Sequence, residues 1–178
     1  VRTLANQGAV ALENARLLRE RTRQLELEKE LEIARRVQFA LIPLHLPSPP
    51  GWQVAASCVP ARQVGGDFYD ALTDGDGGSV ALVVGDVSGK SVSGAMLMVA
   101  AREVLHTAAL GGASPERLLE VANQRLYSPQ HRLFVALAYL LLRPRGMGLY
   151  ALAGQPTPLV RRKRGRVEEL PAPANRLP

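Results

Sequence analysis

Residues 64–90 read VGGDFYDALTDGDGGSVALVVGDVSGK, and the fold turns on how this stretch pairs with itself. Asp67–Thr73 has the composition of a short strand and Ser79–Asp86 that of a second, with Asp-Gly-Asp-Gly-Gly between them. Asp-Gly is a preferred dipeptide of the tight type I′ hairpin turn. With Asp76-Gly77 as the turn residues, Asp67 falls directly opposite Asp86. Cross-strand partners have Cβ atoms about 5 Å apart on one face, so the two carboxylates repel unless one is protonated or a cation lies between them. Tyr69, Ala71, Leu82 and Val84 share that face, and Phe68, Leu72, Ala81 and Val83 occupy the other. A hairpin apolar on both sides is expected to be buried within layers. The acidic pair at its end is a candidate metal site. The plainer alternative is that one Asp caps the following helix and the other is solvated. A one-residue slip in register separates the pair and favours that alternative.

The chain of 178 residues, 47% hydrophobic and 21% charged, is long enough for one sizeable core. No apolar run approaches the ~20 residues that span a bilayer, so no membrane association is expected. Without a charged-then-apolar leader the expected compartment is the cytoplasm. The lone cysteine, Cys58, excludes an internal disulfide and a cysteine metal cluster, and is expected to be a small buried residue. Of the net charge of +6, five positive charges are concentrated in Arg161–Arg166 (RRKRGR). Such a run can bind nucleic acid, but with no interleaved aromatic residue and a central Gly165 it reads as a solvated hairpin turn, and no nucleic-acid partner is expected.

Around the central stretch, residues 1–42 read as one long helix, 43–51 as a proline-rich linker, and 52–178 as a domain. Leu4, Ala11, Leu18 and Leu25 recur at heptad spacing, and Leu27, Leu31, Ala34 and Leu41 continue in a shifted phase. That pattern is coiled-coil-like with a discontinuity. It suits either a parallel homodimer stalk or an amphipathic helix folded back on the domain. Pro43 ends it. Trp52–Val59 alternates as a first strand. After the hairpin, Ala95–Leu110 is helical, with Met96, Val99, Ala100 and Val104 at helical spacing, until Gly111-Gly112 stops it. Its methionines read as core filler. Ser114-Pro115-Glu116 opens another helix to about Tyr127, with Ser as N-cap. Strands follow at 133–142, 147–153, and on either side of the basic turn. This order gives an α+β class with antiparallel sheets and adjacent helices. The Pro- and Ala-rich tail, 171–178, is expected to lead into a further segment.

Other chemistries fit less well. Gly85–Ser91 (GDVSGKS) follows a strand and precedes a helix, but is one residue too short for a phosphate-binding P-loop. His45, His106 and His131 lie in no nucleophile-elbow context, and no histidine pair has zinc-ligand spacing. An oxygen-rich acidic site suits Mg²⁺ or Mn²⁺.

Pro60–Asp70 (PARQVGGDFYD), then Gly85–Lys90 (GDVSGK) and a Met-rich helix, closely resemble the metal-dependent serine phosphatases. The nearest branch is the bacterial SpoIIE-like one (PPM-type, protein phosphatase 2C-like). Arg36–Pro43 (RVQFALIP), Ser114-Pro115 with Asn123, Phe134–Ala136 and Ala153–Leu159 (AGQPTPL) extend the likeness over residues 35–170. Ala11–Leu18 (ALENARLL) is similar to the last helix of GAF sensor domains, which often precede such phosphatases.

The resemblance implies a layered α-β-β-α sandwich, here incomplete, and a binuclear Mn²⁺ or Mg²⁺ site. Asp67 and Asp86 would be catalytic metal ligands, Asp86 bridging, and the Val87 carbonyl a further ligand. Asp70, on the opposite face, would be structural. A binuclear site lowers the pKa of a shared water and neutralises phosphate charge. The implied reaction is hydrolysis of phosphoserine by water without a phosphoenzyme. The implied substrate is a phosphorylated STAS-domain anti-anti-sigma factor in partner-switching signalling, with a GAF-type sensor upstream. The chain departs from the pattern at Ser91, Ala136 and Gln155, where the family usually has Gly, Thr and His. The family also draws further metal-binding aspartates from a later segment. These departures leave a second expectation: a catalytically degenerate phosphatase fold that acts as a partner-binding regulatory module.

Overall fold

A computed structural model describes residues 2–59, 64–73, 78–89, 92–130 and 132–172, with side chains from residue 6. The expected turn at Asp76-Gly77, together with Lys90, Ser91 and His131, lies outside the described residues. In chain order come helix α1 (Arg2–Leu41), strands β1 (Phe68–Thr73) and β2 (Val80–Val87), and helices α2 (Val92–Leu110) and α3 (Pro115–Leu126). Strands β3 (Val135–Arg143), β4 (Met147–Ala153), β5 (Leu159–Arg161) and β6 (Val167–Glu169) follow. The four longer strands form an antiparallel sheet in the order β1-β2-β3-β4, and β5 and β6 form a separate antiparallel ribbon. The class is α+β.

The hairpin register is the one the sequence dictates: Phe68 pairs with Gly85, Tyr69 with Val84 and Ala71 with Leu82. The Phe68 ring lies across Gly85, where any side chain would collide with it. A one-residue slip would lose this contact and turn Phe68 away from the core. On this inner face Phe68, Ala81, Val83 and Val87 join Leu137 and Tyr139 of β3 and pack under Met98, Ala101, Leu105, Leu118 and Ala122 of the two helices. The outer face is covered only in part. Ala71, Ala138 and Leu152 are buried there, but Val84 is 49% exposed and Asp86 is exposed. The expected burial of both hairpin faces therefore holds for one, because both α2 and α3 pack on the same side. An apolar outer face of this kind suits a second layer.

Three sequence expectations need correction. Trp52–Val59 forms no strand. Alternation alone does not make a strand; its backbone groups need a neighbouring strand to pair with. On α2, Met96 and Ala100 are exposed, whereas Gly94, Ala95, Met98, Ala101 and Leu105 face the core. The helix is apolar nearly all round, so periodicity alone could not select a face. Polar contacts select it. Asp70, 3% exposed, binds Arg102 Nη2 at 3.1 Å and His106 Nδ1 at 2.7 Å, and its Oδ1 accepts the Ala71 N–H. Arg102 and His106 are one turn apart, so a single β1 carboxylate sets the rotation of α2. Cys58, finally, is half-buried rather than buried.

Two other local expectations hold. Ser114 caps α3, its Oγ accepting the Arg117 N–H, with Pro115 at the first position. Ala113 N–H donates back to the Ala108 carbonyl to close α2. α1 does not fold back on the domain. Val10, Leu12, Leu18, Leu25 and Leu27 are all at least half exposed, and only its C-terminal end touches α2.

Removing one partner of a buried ion pair leaves the other uncompensated. Asp70→Ala is expected to lower stability by about 3 kcal/mol or more, read as a shift of the denaturant midpoint without change of slope.

Candidate metal centre

The β1–β2 register continues past the last pair to bring Asp67 against Asp86 at the open end of the hairpin. Both side chains are exposed, and they interact directly. The Asp86 carboxyl is held above the ordinary aspartate value by desolvation, then by the negative charge of Asp67 and a hydrogen bond to its carboxyl. A carboxyl whose proton affinity is raised by a second carboxyl beside it has the electrostatic character of a cation site.

The backbone around the pair is closely fitted. Val87 N–H donates to the Gly66 carbonyl at 3.2 Å. Any side chain at Gly66 would run into the Val87 carbonyl oxygen. The glycine is required here by close approach, and it leaves room for that oxygen at the same end of the hairpin as Asp67 and Asp86. Ser88 pins the following loop to β3: its N–H donates to the Phe134 carbonyl at 2.9 Å, and its Oγ accepts the Phe134 N–H at 2.8 Å.

Two residues not assigned a role from sequence contribute to the site. Gln38, only 4% exposed near the end of α1, grips the loop before Asp67: Nε2 donates to the Gly65 carbonyl at 2.7 Å, and Oε1 accepts the Gly65 N–H at 3.2 Å. Its Nε2 also lies 3.4 Å from the Ala95 carbonyl on α2. The signal was present in the sequence, since Gln38 is the lone polar residue in Val37–Ile42. Cys58 lies beside Asp67, with Sγ 3.9 Å from the Asp67 carbonyl oxygen. Its thiol pKa is raised by burial and then by the Asp67 charge. Ala136 is the cross-strand partner of Asp86 on β3, and its carbonyl lies 3.5 Å from Gln155 Nε2. Two of the three departures from the family pattern, Ala136 and Gln155, thus meet each other beside Asp86.

Among the described residues no group of three or more His, Cys, Asp or Glu side chains converges on one point. Asp70, expected to be structural, is turned to the helix face by its ion pairs and is not part of the acidic pair. The donors that do meet are all oxygen: two carboxylates, with the Val87 carbonyl at the same end. That set suits a hard divalent cation rather than zinc.

Residues 76–177 match the family Stage II sporulation protein E (SpoIIE). The chain belongs to the SpoIIE family. Protein IcfG of a Synechocystis species is 46% identical over 76 residues, 43% of this chain. Phosphoserine phosphatase RsbU of Bacillus subtilis is 30% identical over 101 residues, 57% of this chain. The matches span 12% and 30% of those two proteins. The crystal structure of the RsbU and RsbW domains of Rv1364c from Mycobacterium tuberculosis matches with TM-score 0.56 and 28% identity, over 64% of this chain and 32% of that one. The SiaA-PP2C domain of Pseudomonas aeruginosa matches in fold with TM-score 0.62 and 23% identity, over 85% and 62%. The SpoIIE match covers both β2, which carries Asp86 and Val87, and the Ala136–Gln155 contact. Asp67 lies before it and is joined to it by the hairpin register.

Between the ordinary aspartate value and the raised one, the folded chain holds a proton at Asp86 that the unfolded chain has lost. Stability of the metal-free chain therefore falls as pH rises through that window. Asp86→Asn is expected to flatten this slope and to raise the melting temperature above the window. Melting curves of both proteins in chelator across the acidic range check this; parallel curves would exclude the carboxylate contact.

Proposed function

We propose that this SpoIIE-family chain is part of a metal-dependent protein serine phosphatase that hydrolyses phosphoserine on a bacterial regulatory protein. The observation that carries the proposal is the paired, mutually repelling Asp67 and Asp86 beside the Val87 carbonyl. In this proposal these three residues hold Mn²⁺ or Mg²⁺, as a binuclear site completed by further acids. Bound there, the ions would supply charge neutralisation for the phosphate and a more acidic water. The chain's own part is to hold two carboxylates at fixed separation through the hairpin, and to keep the Val87 oxygen clear through Gly66.

The substrate we propose is a phosphorylated STAS-type anti-anti-sigma factor. RsbU of Bacillus subtilis is a phosphoserine phosphatase, and RsbU and RsbW domains occur together in the mycobacterial relative, which favours partner-switching. Control would come through α1 from a GAF-type sensor in the cytoplasm. Two observations support that route: the exposed apolar residues of α1, which suit a parallel homodimer, and the Gln38 contact with Gly65, two residues before Asp67.

A second proposal is a degenerate phosphatase fold that only binds a partner, favoured by Ser91 and Gln155 where the family usually has Gly and His. Calorimetry with Mn²⁺ separates the two: the enzyme takes up metal and the degenerate fold gives no heat. The enzyme is expected to release phosphate from a phospho-STAS protein with Mn²⁺, with activity reduced at least a hundredfold in Asp86→Asn. Equal rates in the two proteins would remove Asp86 from the site. Val10, Leu18 and Leu25 replaced together by Glu are expected to give a monomer in sedimentation where the unaltered chain gives a dimer.

A further inference from the structure

The basic run Arg161–Arg166 forms the hairpin turn expected of it, and nothing in the metal centre uses it. Arg162 N–H donates to the Arg166 carbonyl at 2.8 Å, and Gly165 N–H to the Arg162 carbonyl at 2.7 Å. Gly165, at φ +82°, takes the left-handed conformation the turn requires. The cations are therefore presented on a hydrogen-bonded β5–β6 ribbon. Glu168 pairs with Arg162 and lies 4.0 Å from Arg166 Nε. Glu169 accepts a hydrogen bond from Thr157 Oγ1. Arg161, Lys163 and Arg164 are exposed and have no ion pair among the described residues. Three like charges on one short turn repel one another and add nothing to the core, so folding does not account for them.

The ribbon's position narrows the choice of partner. Gln155 lies against Ala136, the cross-strand neighbour of Asp86, and β5 begins four residues later at Leu159. Leu170 N–H donates to the Pro158 carbonyl, closing the base of the ribbon at that point. From Gln155 to Lys163 is eight residues, at most about 28 Å of extended chain. A protein docked with a standard footprint of roughly 800 Å² covers a patch about 30 Å across. The turn is therefore separated from Gln155 by a span on the order of one such footprint, so a protein whose phosphoserine reaches Asp86 can extend onto the basic turn. The run carries no aromatic residue on which bases could stack, which disfavours a nucleic acid.

We propose that Arg161, Lys163 and Arg164 form a docking surface for an acidic stretch of the phosphoprotein substrate; this rests on the phosphatase proposal above. Exposed charges act mainly on encounter and apparent affinity, and are screened by salt. The surface therefore sets KM and substrate preference, not the chemical step.

Two synthetic phosphoserine peptides test it on the full chain with Mn²⁺, one flanked by Asp and Glu and the other by Asn and Gln. The unaltered protein is expected to favour the acidic peptide by about tenfold in kcat/KM at low salt, mostly through KM, and to lose the preference at high salt. Two variants, with Arg161, Lys163 and Arg164 all changed to Gln or all to Glu, should lose it too. Both should keep the unaltered rate on the neutral peptide and on p-nitrophenyl phosphate, which reports that the site is intact. A preference that persists in both variants overturns the docking surface. If the unaltered chain hydrolyses nothing, the phosphatase proposal fails, and fluorescence anisotropy of the acidic peptide decides the surface separately: binding lost in the variants supports it, binding unchanged overturns it. Tighter, hairpin-dependent binding to duplex DNA or phosphatidylserine vesicles than to the peptide would overturn the choice of partner.

Discussion

Two negative charges held face to face at the end of a hairpin are the constraint on which the rest of this structure depends. The pairing of Phe68 with Gly85 places Asp67 against Asp86, and the backbone cannot relieve the repulsion without giving up the inner-face packing of Phe68, Val83 and Val87. The cost appears where it should, as a raised proton affinity at Asp86. In folding terms the pair is a defect. Such a defect is tolerated at sites where a ligand of opposite charge is to be bound, and the strand ends are where it disturbs the sheet least.

The hairpin was legible in advance because its signals agree. An Asp-Gly-rich turn between two runs of strand formers points to one register, and the paired strands observe it. The position of Asp67 and Asp86 followed from that register, with no need to know what they bind. The face of α2 was not legible. Met96, Val99, Ala100 and Val104 are as well spaced as the residues actually buried, and periodicity cannot rank two stripes on a helix that is apolar nearly all round. The deciding interaction is long-range, from Asp70 to Arg102 and His106, and no local pattern reports it. Trp52–Val59 failed for a related reason: strand propensity is realised only when a neighbour is available to accept the ladder.

The acidic pair was legible to the same uneven degree. Its acids stand in glycine-flanked motifs, Gly-Gly-Asp and Gly-Asp-Val-Ser, and the structure supplies a steric reason at Gly66, which lies against the Val87 carbonyl. The neighbours Gln38, Cys58, Ala136 and Gln155 reach the pair from four other parts of the chain. Ala136 and Gln155 stood out in the sequence as departures from the family pattern, but their contact with each other, and the placing of Gln38 and Cys58 near Asp67, needed the fold.

Apolar packing makes the core of this domain but does not orient it. Leucine, valine and alanine surfaces tolerate sliding and rotation, losing definition before they lose much stability. Orientation comes from a few polar side chains whose partners lie at fixed places in the fold. Asp70 fixes the rotation of α2 over the sheet, Ser88 fastens the loop after Asp86 to β3, and Gln38 fastens the end of α1 to the loop before Asp67. Each is a short polar group where an unpaired partner is costly, so its geometry is held within hydrogen-bond tolerance. All three act on segments within three residues of Asp67 or Asp86, or on the helix that follows. The precision of the acidic pair therefore rests on these polar contacts more than on the bulk of the core, and α1 is tied to the same small region as the two carboxylates.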